Sequence, residues 1–269
     1  MFYFITVILG LAVGSFLNVC IYRIPRDISI IKPSRSFCPN CQHKISALEN
    51  IPVLSYIFLR GKCRHCKAPI SPRYMVVEII TAALFIVMLL RSMTMHQEVK
   101  FIILEFITTA FFVSLLIAIT FIDLEFYIIP DKIVLTGLIF GLLSAIAASV
   151  LTNSYKPIAF RILGMVTGAG IIYVIAVAGS AIFRKQAMGG GDVKLMGMVG
   201  IYTGFWPHIP LTIVIGSVFG SVIGVILISA SKKKMGSRIP FGPFLALGAL
   251  ISLLFGNPLI KWYTGIMGI

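Results

Sequence analysis

The feature that most limits this chain is a series of long stretches without Asp, Glu, Lys or Arg. Residues 1–22 form the first, and others lie at roughly 74–90, 102–122, 133–152 and 159–183. About 20 such residues cross the hydrocarbon core as a helix, and a helix satisfies its backbone polar groups within one segment. The uncharged run 195–231 is too long for a single crossing and is broken between Gly204 and Pro210, so it divides into 195–206 and 211–231. A last span covers about 241–260. The expected fold class is an all-α polytopic membrane protein with about eight transmembrane helices. Composition agrees, because 58 % of residues are hydrophobic and only 12 % charged, against about 25 % charged in soluble domains. A soluble enzyme, a disordered tail protein and a disulfide-stapled secreted domain are excluded.

Charge orients the spans. Residues 1–22 have no basic segment ahead of them, which disfavours a secretory signal and favours a first helix with its N-terminus outside. Eight crossings then place 23–73, 123–132, 184–194 and 231–238 inside. These loops carry 18 of the 23 Lys and Arg residues, as the positive-inside bias requires. The net charge of +14 is thereby explained by the membrane, and nucleic acid is not expected as a partner. The segment 195–206 is short for a crossing, but without it Lys232, Lys233 and Lys234 would face the side opposite Arg184 and Lys185.

The one sizeable extramembrane piece, 23–73, holds Cys38, Cys41, Cys63 and Cys66 as two C-x-x-C pairs separated by 21 residues. That spacing signals a tetrahedral zinc site. The loop is placed in the cytoplasm, where thiols stay reduced, so a redox pair is the weaker alternative. Four thiolates leave no open position for water, so the ion would be structural. His43 and His65 stand in or beside the knuckles, and Cys20 sits in an apolar helix as a packing residue.

Acidic residues are few enough to weigh singly. Asp123 closes the uncharged run 106–122, and Asp192 closes Gly189, Gly190 and Gly191 at the start of another span. Both fall at the inner membrane edge, where an ionisable group is a functional hypothesis by default. Two carboxylates in a poorly solvated place share a proton and activate water, the arrangement of aspartic proteases. The glycines would let a peptide approach Asp192 closely. The bland alternative makes both aspartates helix caps, and for Asp131, after Pro130, capping suffices. No phosphate loop, dinucleotide fingerprint or H-E-x-x-H motif is present.

With these residues in view the chain resembles the type IV prepilin peptidases. The resemblance rests on Gly14 to Val19 leading to Arg23-Ile24-Pro25, on the two cysteine pairs, and on Glu49 to Pro52. It also rests on Gly61-Lys62-Cys63, Arg73-Tyr74 with Glu78, Asp123 to Asp131, Gly189 to Lys194, and Ile239 to Pro243. It spans nearly the whole chain. Met75 departs from it, since Pro is usual after Arg-Tyr.

The resemblance implies a bifunctional enzyme of the cytoplasmic membrane. Its G-x-G-D aspartate maps onto Asp192 and the partner onto Asp123. Such enzymes cut prepilins and pseudopilins after a Gly that ends a short basic leader. They then methylate the new N-terminal residue, commonly Phe, with S-adenosylmethionine. By resemblance the methyltransferase part involves the zinc loop, with Gly61 and Glu49 as candidates. The implied domains are a first helix at 1–22, the cytoplasmic zinc loop at 23–73 and a peptidase domain at 74–269. The implied partners are these substrates, membrane lipid, and a pilus or type II secretion machine. A membrane transporter or assembly scaffold with a zinc-stabilised loop is the rival from another class. A proton relay would place its acids at mid-membrane, whereas Asp123 and Asp192 fall at one edge. A third reading, a G-x-G-D protease without methylation, differs only in the loop.

Overall fold

The computed structural model describes residues 1–32, 35–184, 188–230 and 239–267. Lys185, Lys232, Lys233, Lys234 and Arg238, counted above among the inner-loop charges, lie outside the described residues. Among the described residues the chain is helical and has no strand. Its α-helices are α1 (Phe2–Arg23), α2 (Leu54–Phe58), α3 (Arg73–Met95), α4 (Val99–Phe126), α5 (Asp131–Leu151), α6 (Lys156–Phe183), α7 (Gly190–Thr203), α8 (His208–Ser229) and α9 (Gly242–Met267). Seven described helices (α1, α3, α4, α5, α6, α8 and α9) are long and apolar enough to cross a membrane. The expected crossing at 195–206 corresponds to α7, which starts earlier and has 14 residues, about 21 Å at the helical rise. The chain divides into two compact units, Met1–Ala118 and Ile119–Ile269, with the division inside α4.

In the first unit α1 packs antiparallel on α3. A Cβ on Gly10 would stand 2.5 Å from the Ala82 Cα, and one on Gly14 would stand 2.7 Å from the Glu78 Cα. One turn further, the Asn18 side-chain amide donates to the Tyr74 carbonyl at 2.9 Å. Small residues spaced four apart let membrane helices approach this closely, where lipid supplies no hydrophobic drive between them. At the end of α1 the buried Arg23 donates to the carbonyls of Ser29 and Ile30, each at 3.0 Å. Its charge is thus used to fold the first turn of the polar loop.

The polar loop is also held to α3. The Val53 N–H donates to the buried Glu78 carboxylate at 2.7 Å. Val53 has φ 62° and ψ −51°, and the Leu54 N–H reaches back to the Pro52 carbonyl at 2.6 Å. This is the positive-φ γ-turn, the rare and strained one, and a β-branched residue makes it costlier.

The second unit is built around α7. Leu195, Met196, Met198, Val199 and Ile201 are fully or almost fully buried. A Cβ on Gly200 would lie 2.0 Å from the Gly164 carbonyl oxygen, and one on Gly168 would lie 2.5 Å from that of Met196. These contacts set α7 antiparallel to α6, with a register that brings Asp192 level with Ile172. The Tyr202 hydroxyl donates to the Gly137 carbonyl of α5 at 2.9 Å. On the other side, α8 and α9 meet closely where a Cβ on Gly248 would stand 2.4 Å from the Thr212 carbonyl oxygen.

Candidate active site and metal centre

Asp123 lies in the last turn of α4, and the Tyr127 N–H donates to its carbonyl at 2.9 Å. Tyr127 takes a left-handed φ of 59°, which ends the helix and turns the chain toward Ile129 and Pro130. The Asp123 side chain is only 5 % exposed. Its Oδ2 accepts the N–H of Gly242 at 3.0 Å. Gly242 opens α9, so the carboxylate meets unpaired donors and the positive end of a 26-residue helix.

Asp192 sits in the first turn of α7 and is 7 % exposed. Its Oδ2 accepts the Gly189 N–H at 3.2 Å, while its own N–H donates to the Gly189 carbonyl at 3.1 Å. Gly189 is therefore the N-cap and Asp192 the third helical residue that reaches back to it. Asp192 does help cap its helix, though not from the cap position itself.

The two aspartates belong to one neighbourhood. Their carboxylates are near enough to act on each other electrostatically. Ile129 joins their surroundings: a Cβ on Gly191 would lie 3.0 Å from the Ile129 Cβ, and one on Gly242 would lie 3.3 Å from its Cδ1. Among the described residues neither carboxylate has a salt-bridge partner. Asp131 is different. Pro130 is the N-cap of α5 and Asp131 makes no capping hydrogen bond, which corrects its expected role as a cap. It is exposed and pairs with the Lys194 ammonium at 2.7 Å, and its charge favours the helix start only through the dipole.

In the first unit the four expected cysteines converge. The Sγ atoms of Cys38, Cys41, Cys63 and Cys66 all lie within 4.8 Å of one another, and Cys38 is 3.8 Å from Cys66. Four thiolates around a tetrahedral ion at about 2.3 Å would stand about 3.8 Å apart, so the donor set suits a metal. Each knuckle folds alike. An antiparallel bridge, Phe37 with Lys44 and Lys62 with Pro69, brackets each pair. The residue after each second cysteine, Gln42 or Lys67, takes a φ of 57° or 59°. The Ala68 N–H and then the Asn40 side-chain amide pull the Cys66 thiol down. The His43 N–H lowers Cys41, but desolvation and the neighbouring thiols outweigh it and push Cys41 up, so without a metal the set ionises first at Cys66. His43 and His65 stack with ring centroids 3.4 Å apart and are not in the four-sulfur set.

Glu49 and Gly61 occupy internal positions in the loop. The Glu49 carboxylate accepts the Ser46 N–H at 2.9 Å and lies 3.6 Å from Arg64. The Ser46 N–H first, with help from its hydroxyl and Arg64, holds Glu49 below the ordinary glutamate value. Gly61 has a φ of 66°, and a Cβ there would stand 3.0 Å from the Tyr56 hydroxyl. Ile129 and the individual role of Gly242 were not singled out by sequence reasoning. Gly242 stood within the quoted stretch Ile239 to Pro243, but nothing in its local pattern links it to a residue 119 positions away.

Fold and site together define a multi-pass helical membrane protein with two buried aspartates, one ending α4 and one opening α7, and a four-cysteine centre. A family profile for the bacterial peptidase A24 N-terminal domain matches residues 8–92. That of the type IV leader peptidase family matches residues 110–225. Similar proteins named prepilin leader peptidase/N-methyltransferase include one from Aeromonas salmonicida (strain A449), 32 % identical over 98 % of this chain and 94 % of its own. One from Pseudomonas putida is 35 % identical over 99 % and 96 %, and one from Legionella pneumophila is 30 % identical over 98 % and 94 %. No solved structure matches the chain. The chain belongs to the type IV leader peptidase family.

Proposed function

We propose that this protein is a bifunctional enzyme that cleaves the leader from prepilins or pseudopilins and then N-methylates the new N-terminal residue. The observation that carries the peptidase half is a pair of buried, interacting carboxylates, Asp123 in the last turn of α4 and bonded to the first residue of α9, and Asp192 in the first turn of α7. One carboxylate takes a proton from water, and the resulting hydroxide attacks the scissile carbonyl carbon. The other, protonated, hydrogen-bonds the carbonyl oxygen as negative charge develops there. Collapse of the tetrahedral intermediate breaks the C–N bond, and the proton passes to the leaving amine. Gly189, Gly190 and Gly191, expected as an active-site loop, are instead the N-cap and first two residues of α7, and their lack of side chains leaves the peptide room beside Asp192. The cut falls after a Gly at the cytoplasmic face of the inner membrane, in a protein whose N-terminus lies outside.

Cys38, Cys41, Cys63 and Cys66 would hold a structural Zn2+ ion that orders the cytoplasmic loop and leaves no position for water. The methyl group would come from S-adenosylmethionine, a sulfonium donor. Glu49 and Gly61 are the loop residues assigned to that part, with the Glu49 carboxylate oriented by the Ser46 N–H and by Arg64. The domain reading is a first helix at 1–22, the zinc loop at 23–73 with the methyltransferase part, and the peptidase at 74–269. A pilus or secretion machine is the setting in which the product would be used. Co-expression with a prepilin tests the whole reading. The expected result is a shorter product whose N-terminal mass carries one added methyl group, and an uncut prepilin would overturn it.

A further inference from the structure

We infer that Gly242 is a positioning residue for the cleavage reaction, its N–H fixing the Asp123 carboxylate and its missing side chain leaving room for it. This rests on the reading of Asp123 as one of the two working aspartates. The geometry is specific on two independent counts. The Gly242 N–H donates to Asp123 Oδ2 at 3.0 Å across 119 residues of chain. A Cβ on Gly242 would stand 2.6 Å from that same oxygen and 3.3 Å from Asp123 Cγ. Real carbon–oxygen contacts do not close to that distance, so an alanine here must displace something.

What would move is the carboxylate. Its oxygen is the end of a side chain, whereas Gly242 is fixed by the first turn of α9, where the N–H groups of Phe244 and Leu245 donate to the Phe241 carbonyl at 3.1 Å. The fold therefore tolerates the added methyl at the expense of Asp123. A shift of roughly 0.8 Å restores ordinary contact, and a misplacement of about 1 Å at reacting groups costs about 100-fold. Ile129 Cδ1, at 3.3 Å from the same Cβ position, further narrows the space that an added methyl would enter.

The experiment uses the full-length protein in membranes with a purified prepilin as substrate. Gly242→Ala is expected to lower kcat for cleavage by about 10- to 100-fold with KM within about twofold. Methylation of a prepilin already freed of its leader is expected to persist, because the first unit is untouched. Gly265→Ala lies on the same helix with nothing within 4 Å of its Cβ, and should change neither. If the alanine protein fails to accumulate, incorporation of glycolic acid at position 242 removes the N–H and adds no atom beyond the backbone. It should lower kcat by about 10-fold, as expected for one hydrogen bond to a charged group. Wild-type cleavage by Gly242→Ala and by the ester variant, with Asp123→Asn inactive, overturns the positioning role alone. Equal loss of cleavage and methylation in Gly242→Ala also overturns it, as a general defect. Full cleavage by Asp123→Asn overturns the two-aspartate reading and this inference with it.

Discussion

Asp123→Asn and Asp192→Asn each keep size and hydrogen-bonding capacity but remove the ionisable group. Both should reduce leader cleavage by about 1,000-fold or more, the scale at which a unit of interacting catalytic groups fails, with normal protein levels in the membrane. Asp131→Asn should stay within a few-fold of wild type. It loses one ion pair to Lys194 in which both side chains are more than half exposed, and such pairs contribute little. Processing of a co-expressed prepilin, followed by gel shift, reads all three. The aspartates were legible because the chain has only nine acidic residues, so two at an apolar boundary stand out against almost no background. Gly242 was not legible in its role, since a glycine opening a helix has a local explanation and its contact with Asp123 exists only after the helices pack.

Among the elements, the polar loop can be perturbed from either end. Replacing Cys38 and Cys41 together by Ser leaves Cys63 and Cys66 unable to complete a tetrahedral shell, and the loop should loosen. The expected result is loss of bound zinc by metal analysis and a larger loss of methylation than of cleavage. Fully methylated product from protein shown to lack zinc would refute that coupling. At the other end, Glu78→Ala leaves the Val53 N–H without its acceptor, at a cost of about 1–3 kcal/mol. It should speed proteolysis of the loop in folded protein, while Glu78→Gln, which still presents an oxygen, should not. The cysteine knuckles could be read from spacing alone because a metal site imposes spacing. The turn at Val53 could not, because valine is a poor residue for positive φ and the buried carboxylate that accepts its N–H lies 25 residues away.

For the whole molecule, the helical plan followed from the uncharged runs because the bilayer sets one length for every crossing. The plan departs from them at α7, which begins before the uncharged run and stops short of a full span. Orientation is the matching prediction. Cysteine labels near His96 and Asn153 should react with an impermeant reagent in intact cells, and one near Lys233 should not. Reaction at Lys233 would mean that α7 does not carry the chain across.

The register of α7 on α6 has a consequence for the lipid. Asp192 stands level with Ile172, so 11 residues of α6 continue past it to Phe183, about 16 Å. The full α6 helix, at 28 residues or about 42 Å, exceeds the hydrocarbon thickness of about 30 Å by roughly 12 Å. Under the proposed orientation, a helix whose outer end is level with the membrane would set Asp192 a few ångströms under the inner surface. Its depth then depends on the hydrophobic mismatch between protein and bilayer, which shifts with acyl-chain length. Reconstituted into a series of phosphatidylcholines, the protein should cleave fastest in short-chain lipid and slow as the chains lengthen. A thicker bilayer submerges Asp192 and thins the supply of water on which hydrolysis depends.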